Sequence, residues 1–345
     1  MDENNNIEHL LDEVFNEVRK ARELLNGYAY VTPLVRSKWL SSLTGADVHL
    51  KLESEQRTGS FKFRGAMNKI LSSSARERER GFVTASTGNH GKAVAEALEV
   101  AGLTTSGSQN SIFLPEKVSS GKLLALSSYT VNIEFTSGSD CLETERAAVD
   151  AAKQSDRVYI SPYTDLSVCA GQGTIACELV QQLPTIDAVF ICVGGGGMIG
   201  GIASYFRKLS PGTTIVGCQP EASAVMSESV KAGRILDLPS LPTLSDGSAG
   251  GLDDGGFTFD LCKTLVDEWV LVSEEEIATA VLGMIQHHSK IVEGAAAVAI
   301  AALLKTCKQT KDYAGKSVVA VVCGSNLGTE NLRSVLSLGA DGSSL

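Results

Sequence analysis

The first regularity along the chain is helical. Ile7, Leu10, Leu11, Val14, Phe15, Val18, Leu24 and Leu25 are apolar with polar residues between them, which predicts an amphipathic helix over 7–25. Pro33 breaks that pattern, and Val48–Leu52 alternates apolar and polar positions as a strand does. From there, short apolar runs alternate with helical spacing. Phe82–Ala85 precedes a predicted helix at about 91–101, Val131–Phe135 one at about 142–154, and Ala188–Val193 one at about 198–208. Ile215–Cys218 and Val318–Cys323 read as further strands. Such alternation predicts an α/β protein with parallel sheets. The stretch 233–260 is different: rich in Gly, Asp, Ser and Pro, it reads as one long loop, functional or mobile. The sequence carries no internal repeat and no low-complexity segment.

At 345 residues the chain accommodates one large domain or two moderate ones. Its net charge of -10 and pI near 5.1 argue against nucleic acid or an anionic membrane as the main partner. No apolar run approaches the roughly 18 residues of a membrane helix. Met1–Ile7 is acidic and amide-rich, unlike a secretory signal or an Arg-rich transit peptide. Ser343-Ser344-Leu345 faintly resembles a peroxisomal tail but lacks its central basic residue. A cytoplasmic location is expected. The eight cysteines form no C-x-x-C pair and no zinc spacing, so most are expected to be buried thiols, with Cys323 the exception.

The candidate chemistry lies in four short segments. Ser60-Phe61-Lys62-Phe63-Arg64-Gly65-Ala66 places one lysine between two aromatic rings. Desolvation there would lower its pKa and make its amine a nucleophile for a carbonyl. Taken alone, a lysine whose stem packs on rings while its head reaches water is the simpler reading. Gly194-Gly195-Gly196-Gly197-Met198 follows a strand and opens a helix, so backbone N–H groups and the helix dipole can meet an anion. Monophosphate binding ranks first there. Dinucleotide binding, through Gly195, Gly197 and Gly200, lacks its acid because Gln219 ends the next strand; close helix–strand packing is the third reading. Ser86-Thr87-Gly88-Asn89-His90-Gly91 offers hydroxyls, an amide and N–H groups suited to a carboxylate and a ring oxygen, although a capped helix start explains it equally well. Cys323-Gly324-Ser325-Asn326 follows the last strong strand, where ligands of parallel sheets bind; in isolation Cys323 would be a buried structural thiol.

In this order and spacing, from about Thr32 to Leu332, the four segments resemble those of fold-type-II pyridoxal-phosphate enzymes, most closely the serine/threonine dehydratases and serine racemase. The resemblance implies a tryptophan synthase β-like fold: two parallel-sheet, three-layer α/β domains around a central cofactor crevice. The small mobile domain would be 82–162, and the large cofactor-binding domain 1–81 plus 163–345. It implies pyridoxal 5'-phosphate as cofactor, Lys62 as its Schiff-base lysine, Phe61 packing on its ring, and Asn89 on its phenolic oxygen. Gly194, Gly195, Gly196, Gly197 and Met198 would hold its phosphate, and Cys323 would meet its pyridine nitrogen. Glu293 would line the far side of the cofactor site. Ser86, Thr87, Gly88, Asn89 and His90 would receive the amino-acid substrate, joined by Arg146, and Thr87 would be the second catalytic residue if the enzyme racemises.

A thiol at position 323 would protonate the pyridine less than an acid would and so stabilise a long-lived carbanion less, which leaves the electrons better used to expel a β-hydroxyl. Dehydration of L-serine or L-threonine to a 2-oxo acid and ammonia is therefore expected. Racemisation through Lys62 and Thr87, elimination from a bulkier substrate such as 3-hydroxyaspartate or phenylserine, and a non-catalytic cofactor-binding protein are the alternatives. The racemase's acidic metal positions correspond to Gln219 and Val225, so no metal is expected there, although Glu221 lies close. A Ser of the racemase corresponds to Gly250 and its His-Pro pair to Ser161-Pro162, which implies a wider pocket near Gly250 and Gly251. A homodimer is expected from the family. With no room for a C-terminal regulatory domain, feedback inhibition by isoleucine is not.

Overall fold

The computed structural model describes residues 3–340 apart from 106, 138–140, 254 and 311. Met1, Asp2, Asp254 and the Ser343–Leu345 tail, all drawn on above, lie outside the described residues, as does the side chain of Cys141.

The strands are β1 (Leu34–Arg36), β2 (Asp47–Leu52), β3 (Phe82–Ala85), β4 (Ser111–Pro115), β5 (Asn132–Thr136), β6 (Val158–Tyr159), β7 (Ala188–Cys192), β8 (Thr214–Pro220), β9 (Glu268–Val272) and β10 (Ser317–Val322). They form a six-stranded sheet in the order β1-β2-β10-β7-β8-β9 and a four-stranded sheet in the order β5-β4-β3-β6. Every pairing is parallel except the edge pair β1–β2, a short antiparallel addition that the sequence pattern does not reveal. All five residues of β7 and the last five of β10 are buried. A parallel strand covered on both faces reads as an unbroken apolar run, which is why these two are plain in the sequence.

Helix Gly294–Thr310 lies across β7, β8, β9 and β10. Helices Glu3–Leu24, Leu166–Gln182 and Gly197–Leu209 pack together and share the main core with the large sheet. Helices Asn89–Val100 and Cys141–Gln154 lie against the small sheet. Helix Lys62–Ser72 packs on both Leu166–Gln182 and Asn89–Val100, so it sits between the two sheets. Its approach to Leu166–Gln182 is close enough that a Cβ on Gly171 would fall 2.5 Å from the Arg64 carbonyl oxygen. The irregular stretch after Gly233 ends earlier than the sequence suggests, because helix Phe257–Leu265 begins within the Gly-rich segment's last residues. Among the described residues no helix is long and apolar enough to cross a membrane.

Candidate active site

Three neighbouring strands of the large sheet, β2, β10 and β7, deliver three of the four segments at their carboxyl ends. After β2 the chain makes two short turns, Glu53–Glu55 and Arg57–Gly59, and enters helix Lys62–Ser72. That entry is stitched to the segment after β10: the Phe61 N–H donates to the Cys323 carbonyl at 3.1 Å, and the Ser325 N–H to the Gly59 carbonyl at 2.9 Å. Lys62 and Cys323 are thereby held side by side. β7 supplies the four glycines, and β3 of the small sheet faces them with the turn Ser86–Gly88 and helix Asn89–Val100. One cavity is lined by Phe61, Lys62, Asn89, Gly194, Gly195, Gly196, Gly197, Met198, Glu293 and Cys323, together with Pro162, Tyr163 and Ser248.

Lys62 Nζ donates to the Pro162 carbonyl at 2.8 Å and lies 5.2 Å from the Phe61 ring centroid. Phe63 is not its second wall. Successive helical side chains diverge by about 100°, and Phe63 turns into a separate core with Ala66, Met67, Ile70 and Phe82. Burial within the crevice lowers the Lys62 pKa to about 8, against the attraction of nearby acidic groups including Glu293 and Glu145.

The glycines make a cradle by necessity. A Cβ on Gly195 would fall 2.3 Å from the Tyr163 ring, and Gly196 is left-handed at φ 86. The first-turn N–H groups of helix Gly197–Leu209 have no partner within the helix, and Gly197, Met198 and Ile199 line the cavity, an arrangement that suits an anion. Gly195→Ala is expected to displace Tyr163, destabilise the fold by roughly 1–3 kcal/mol and weaken cofactor retention. Denaturant melts and dialysis check this, and Tyr163→Ala added to it should recover part of the loss.

Asn89 Nδ2 donates to both carboxylate oxygens of Glu293 at 2.9 Å. Burial pushes the Glu293 pKa up to about 7, opposed by that donation. Cys323 is buried with its sulfur 4.0 Å from Glu293 Oε1, and burial together with the carboxylate raises its pKa well above the usual thiol range. The thiol stays neutral.

Other candidates fall elsewhere. Ser86, Thr87 and Gly88 form the half-buried turn beside Asn89 and do not line the cavity. The His90 ring is buried and its Nε2 donates to the Ile160 carbonyl at 3.1 Å; burial and the charge of Lys62 lower its pKa to about 3, so it is neutral. Arg146 is exposed on helix Cys141–Gln154 and outside the cavity lining. Its neighbour Glu145 turns inward instead and accepts from the Tyr159 hydroxyl at 2.8 Å. Position 146 follows from loose spacing in the least regular part of the chain, and one residue's difference on a helix rotates a side chain by about 100°. Gln219, buried, donates to the Val193 carbonyl at 3.0 Å and accepts from the Ser227 N–H at 2.8 Å, so it braces the entry to the glycine cradle; Val225 is buried, and Glu221 pairs with Lys305 at 3.3 Å. Sequence reasoning missed Tyr163, although its neighbour Pro162 was singled out. It also missed Asp253, which accepts from the Thr164 and Tyr163 side chains.

Two α/β units around a lysine-bearing crevice with a glycine cradle define an enzyme-like cofactor site. The chain belongs to the pyridoxal-phosphate dependent enzyme family, whose model matches residues 25–324. It is 35% identical over 94% of its length, and 78% of the relative's, to the L-threonine ammonia-lyase of Thermotoga maritima. Among solved structures it is similar to the processed form of threonine deaminase isoform 2 from Solanum lycopersicum (TM-score 0.90, 32% identity, 97% of this chain and 89% of that one). It is also similar to maize serine racemase (TM-score 0.85, 27% identity, 95% and 98%). The fold is therefore that of the fold-type-II enzymes. The cavity's donors fit pyridoxal 5'-phosphate: a low-pKa amine for its aldehyde, a glycine cradle with helix N–H groups for its phosphate, and an amide for its ring oxygen.

Proposed function

We propose that this protein is a pyridoxal 5'-phosphate-dependent ammonia-lyase that converts a β-hydroxy amino acid, L-threonine or L-serine first, to a 2-oxo acid and ammonia. The observation carrying this reading is the convergence of Lys62, Asn89, Cys323 and the four glycines on one cavity. When bound, the cofactor's ring supplies an electron sink for the pair left at the substrate's Cα. Lys62, with its lowered pKa, holds the cofactor and then takes the Cα proton as a neutral amine. The N–H groups of Gly194–Met198 would hold the phosphate and Asn89 the ring oxygen. Cys323, a neutral thiol, would face the ring nitrogen without protonating it strongly, which favours loss of the β-hydroxyl. Ser86, Thr87, Gly88 and the start of helix Asn89–Val100 receive the substrate carboxylate. The His90 ring acts by position, not by charge. Residues 82–162 would move as a unit over the substrate, against 1–81 and 163–345.

The crevice's charge bears on substrate choice. Glu145 interacts with the charges of both Asp253 and Lys62, so carboxylates stand near the lysine. A second carboxylate on the substrate is repelled there, so serine, threonine and phenylserine rank ahead of 3-hydroxyaspartate. An ammonia-release panel of these four substrates tests the reading; turnover of none of them would overturn it.

The Lys62 pKa fixes two pH dependences. Covalent cofactor uptake is expected to rise about tenfold per pH unit up to about 8 and then level off, because only the neutral amine attacks an aldehyde. Stopped-flow absorbance checks this. Without cofactor, Lys62 sheds its proton near 8 when folded and near 10.4 when unfolded. The unfolded chain therefore binds more protons between those values, and the Lys62 contribution makes the cofactor-free protein more stable as pH rises through that window.

A further inference from the structure

Helix Asn89–Val100 and the loop after β10 meet through a chain of side-chain hydrogen bonds. Lys92 Nζ donates to Asn326 Oδ1 at 2.7 Å, and Asn326 Nδ2 donates to Asn89 Oδ1 at 2.7 Å. Asn89 Nδ2 then donates to Glu293. The second proton of Asn326 Nδ2 goes to the Thr58 carbonyl at 2.8 Å.

An amide's oxygen and nitrogen are nearly alike in shape, so its partners decide which way it points. Here the partners leave one solution. A lysine ammonium only donates, and a backbone carbonyl only accepts. Asn326 is clamped between the two, its oxygen on Lys92 and its NH2 on Thr58. The remaining proton of that NH2 requires an acceptor, and Asn89 supplies its oxygen. Asn89 is then left with its NH2 to turn into the crevice. Asn326 itself is exposed and does not line the cavity.

We infer that Asn326 is a positioning residue that acts through Asn89, fixing its NH2 rather than its carbonyl toward the crevice, where it now meets Glu293. This rests on the reading of Asn89 as the contact of the cofactor's ring oxygen. Lys92 belongs to the helix beside the small sheet and Asn326 to the large-sheet loop, so the clamp is complete only when those two parts are together.

Asn326→Asp and Asn326→Ala, each in the full chain loaded with pyridoxal 5'-phosphate, separate orientation from simple tethering. Asp keeps an acceptor for Lys92 but turns lone pairs toward the Thr58 carbonyl and the Asn89 oxygen, which forces Asn89 over. Ala only removes the clamp. The readouts are cofactor affinity by equilibrium dialysis and the pH midpoint of the visible absorbance, with thermal unfolding confirming that both variants fold. The expected order is a larger loss for N326D than for N326A, with affinity falling about tenfold for N326D and the absorbance midpoint moving upward. A mere tether predicts the reverse, because Asp retains the contact with Lys92; N326A equal to or worse than N326D overturns the inference. Asn89→Ala is the companion variant. If it changes the absorbance while N326D does not, only the inference falls. If it leaves the absorbance unchanged, the reading of Asn89 falls and takes the inference with it.

Discussion

Lys62→Ala is expected to lower 2-oxo acid release from L-threonine by at least about 10³-fold. It should also abolish the borohydride-sensitive visible band of the loaded protein while leaving the thermal midpoint close to wild type. Lys62 meets the rest of the protein mainly through the Pro162 carbonyl and the Phe61 ring, so its removal costs little packing. The chemical cost is large because no neighbour can replace it. His90 is buried on the Ile160 carbonyl and neutral. Lys92 is committed to Asn326 at the crevice mouth. Lys62→Arg should be no better, since a guanidinium stays charged and cannot act as the amine. Activity retained in Lys62→Ala would remove the lysine from the reaction.

Arg64→Met is expected to have the largest effect on stability, about 3–5 kcal/mol. Arg64 stands two residues after Lys62 in the same helix and is 1% exposed. Its guanidinium bonds Glu53 at 2.8 Å and Glu178 at 2.7 Å, and Lys51 joins Glu178 at 2.5 Å, all of them buried. Burial opposes the guanidinium's charge, but the two carboxylates more than restore it. Removing Arg64 leaves Glu53 without its cation in an interior that cannot hydrate it. Urea melts should show the loss. The loss should shrink as pH falls through the carboxylate range, because Arg64 helps hold the Glu178 carboxyl below its usual pKa against burial, and that contribution is lost once Glu178 is protonated. Arg64→Lys should recover little, since one ammonium cannot serve two carboxylates as a planar fork does. The helix that carries Lys62 is fixed by this cluster, so cofactor affinity should fall with stability.

The sequence made the buried parallel strands and the glycine segment legible: full burial writes an unbroken apolar run, and four consecutive glycines after a strand are conspicuous in themselves. It was silent where the cause lies across the fold. Helix Gly294–Thr310 is buried without a break from Gly294 to Leu303 and has no polar stripe there for a period to reveal. The need for glycine at 195 comes from Tyr163, 32 residues earlier in the chain, and no local pattern connects them. Phe63 looked like a wall of the lysine's pocket because it is adjacent in sequence, whereas the helix that begins at Lys62 turns it away. Which of Arg146 and Glu145 turns inward depends on the same helical rotation, and it is Glu145 that meets Tyr159. The long loop hid Asp253, whose partners Thr164 and Tyr163 lie about 90 residues earlier in the chain.

The most direct test of the central claim is proton NMR of the cofactor-loaded protein with L-threonine and L-serine in D2O, with chiral analysis of the amino acid that remains. The account predicts 2-oxobutanoate and pyruvate with equimolar ammonia, and remaining substrate of unchanged configuration. Accumulation of the opposite configuration at Cα without 2-oxo acid would contradict it and shift the chemistry to racemisation, with Thr87 as the second acid/base.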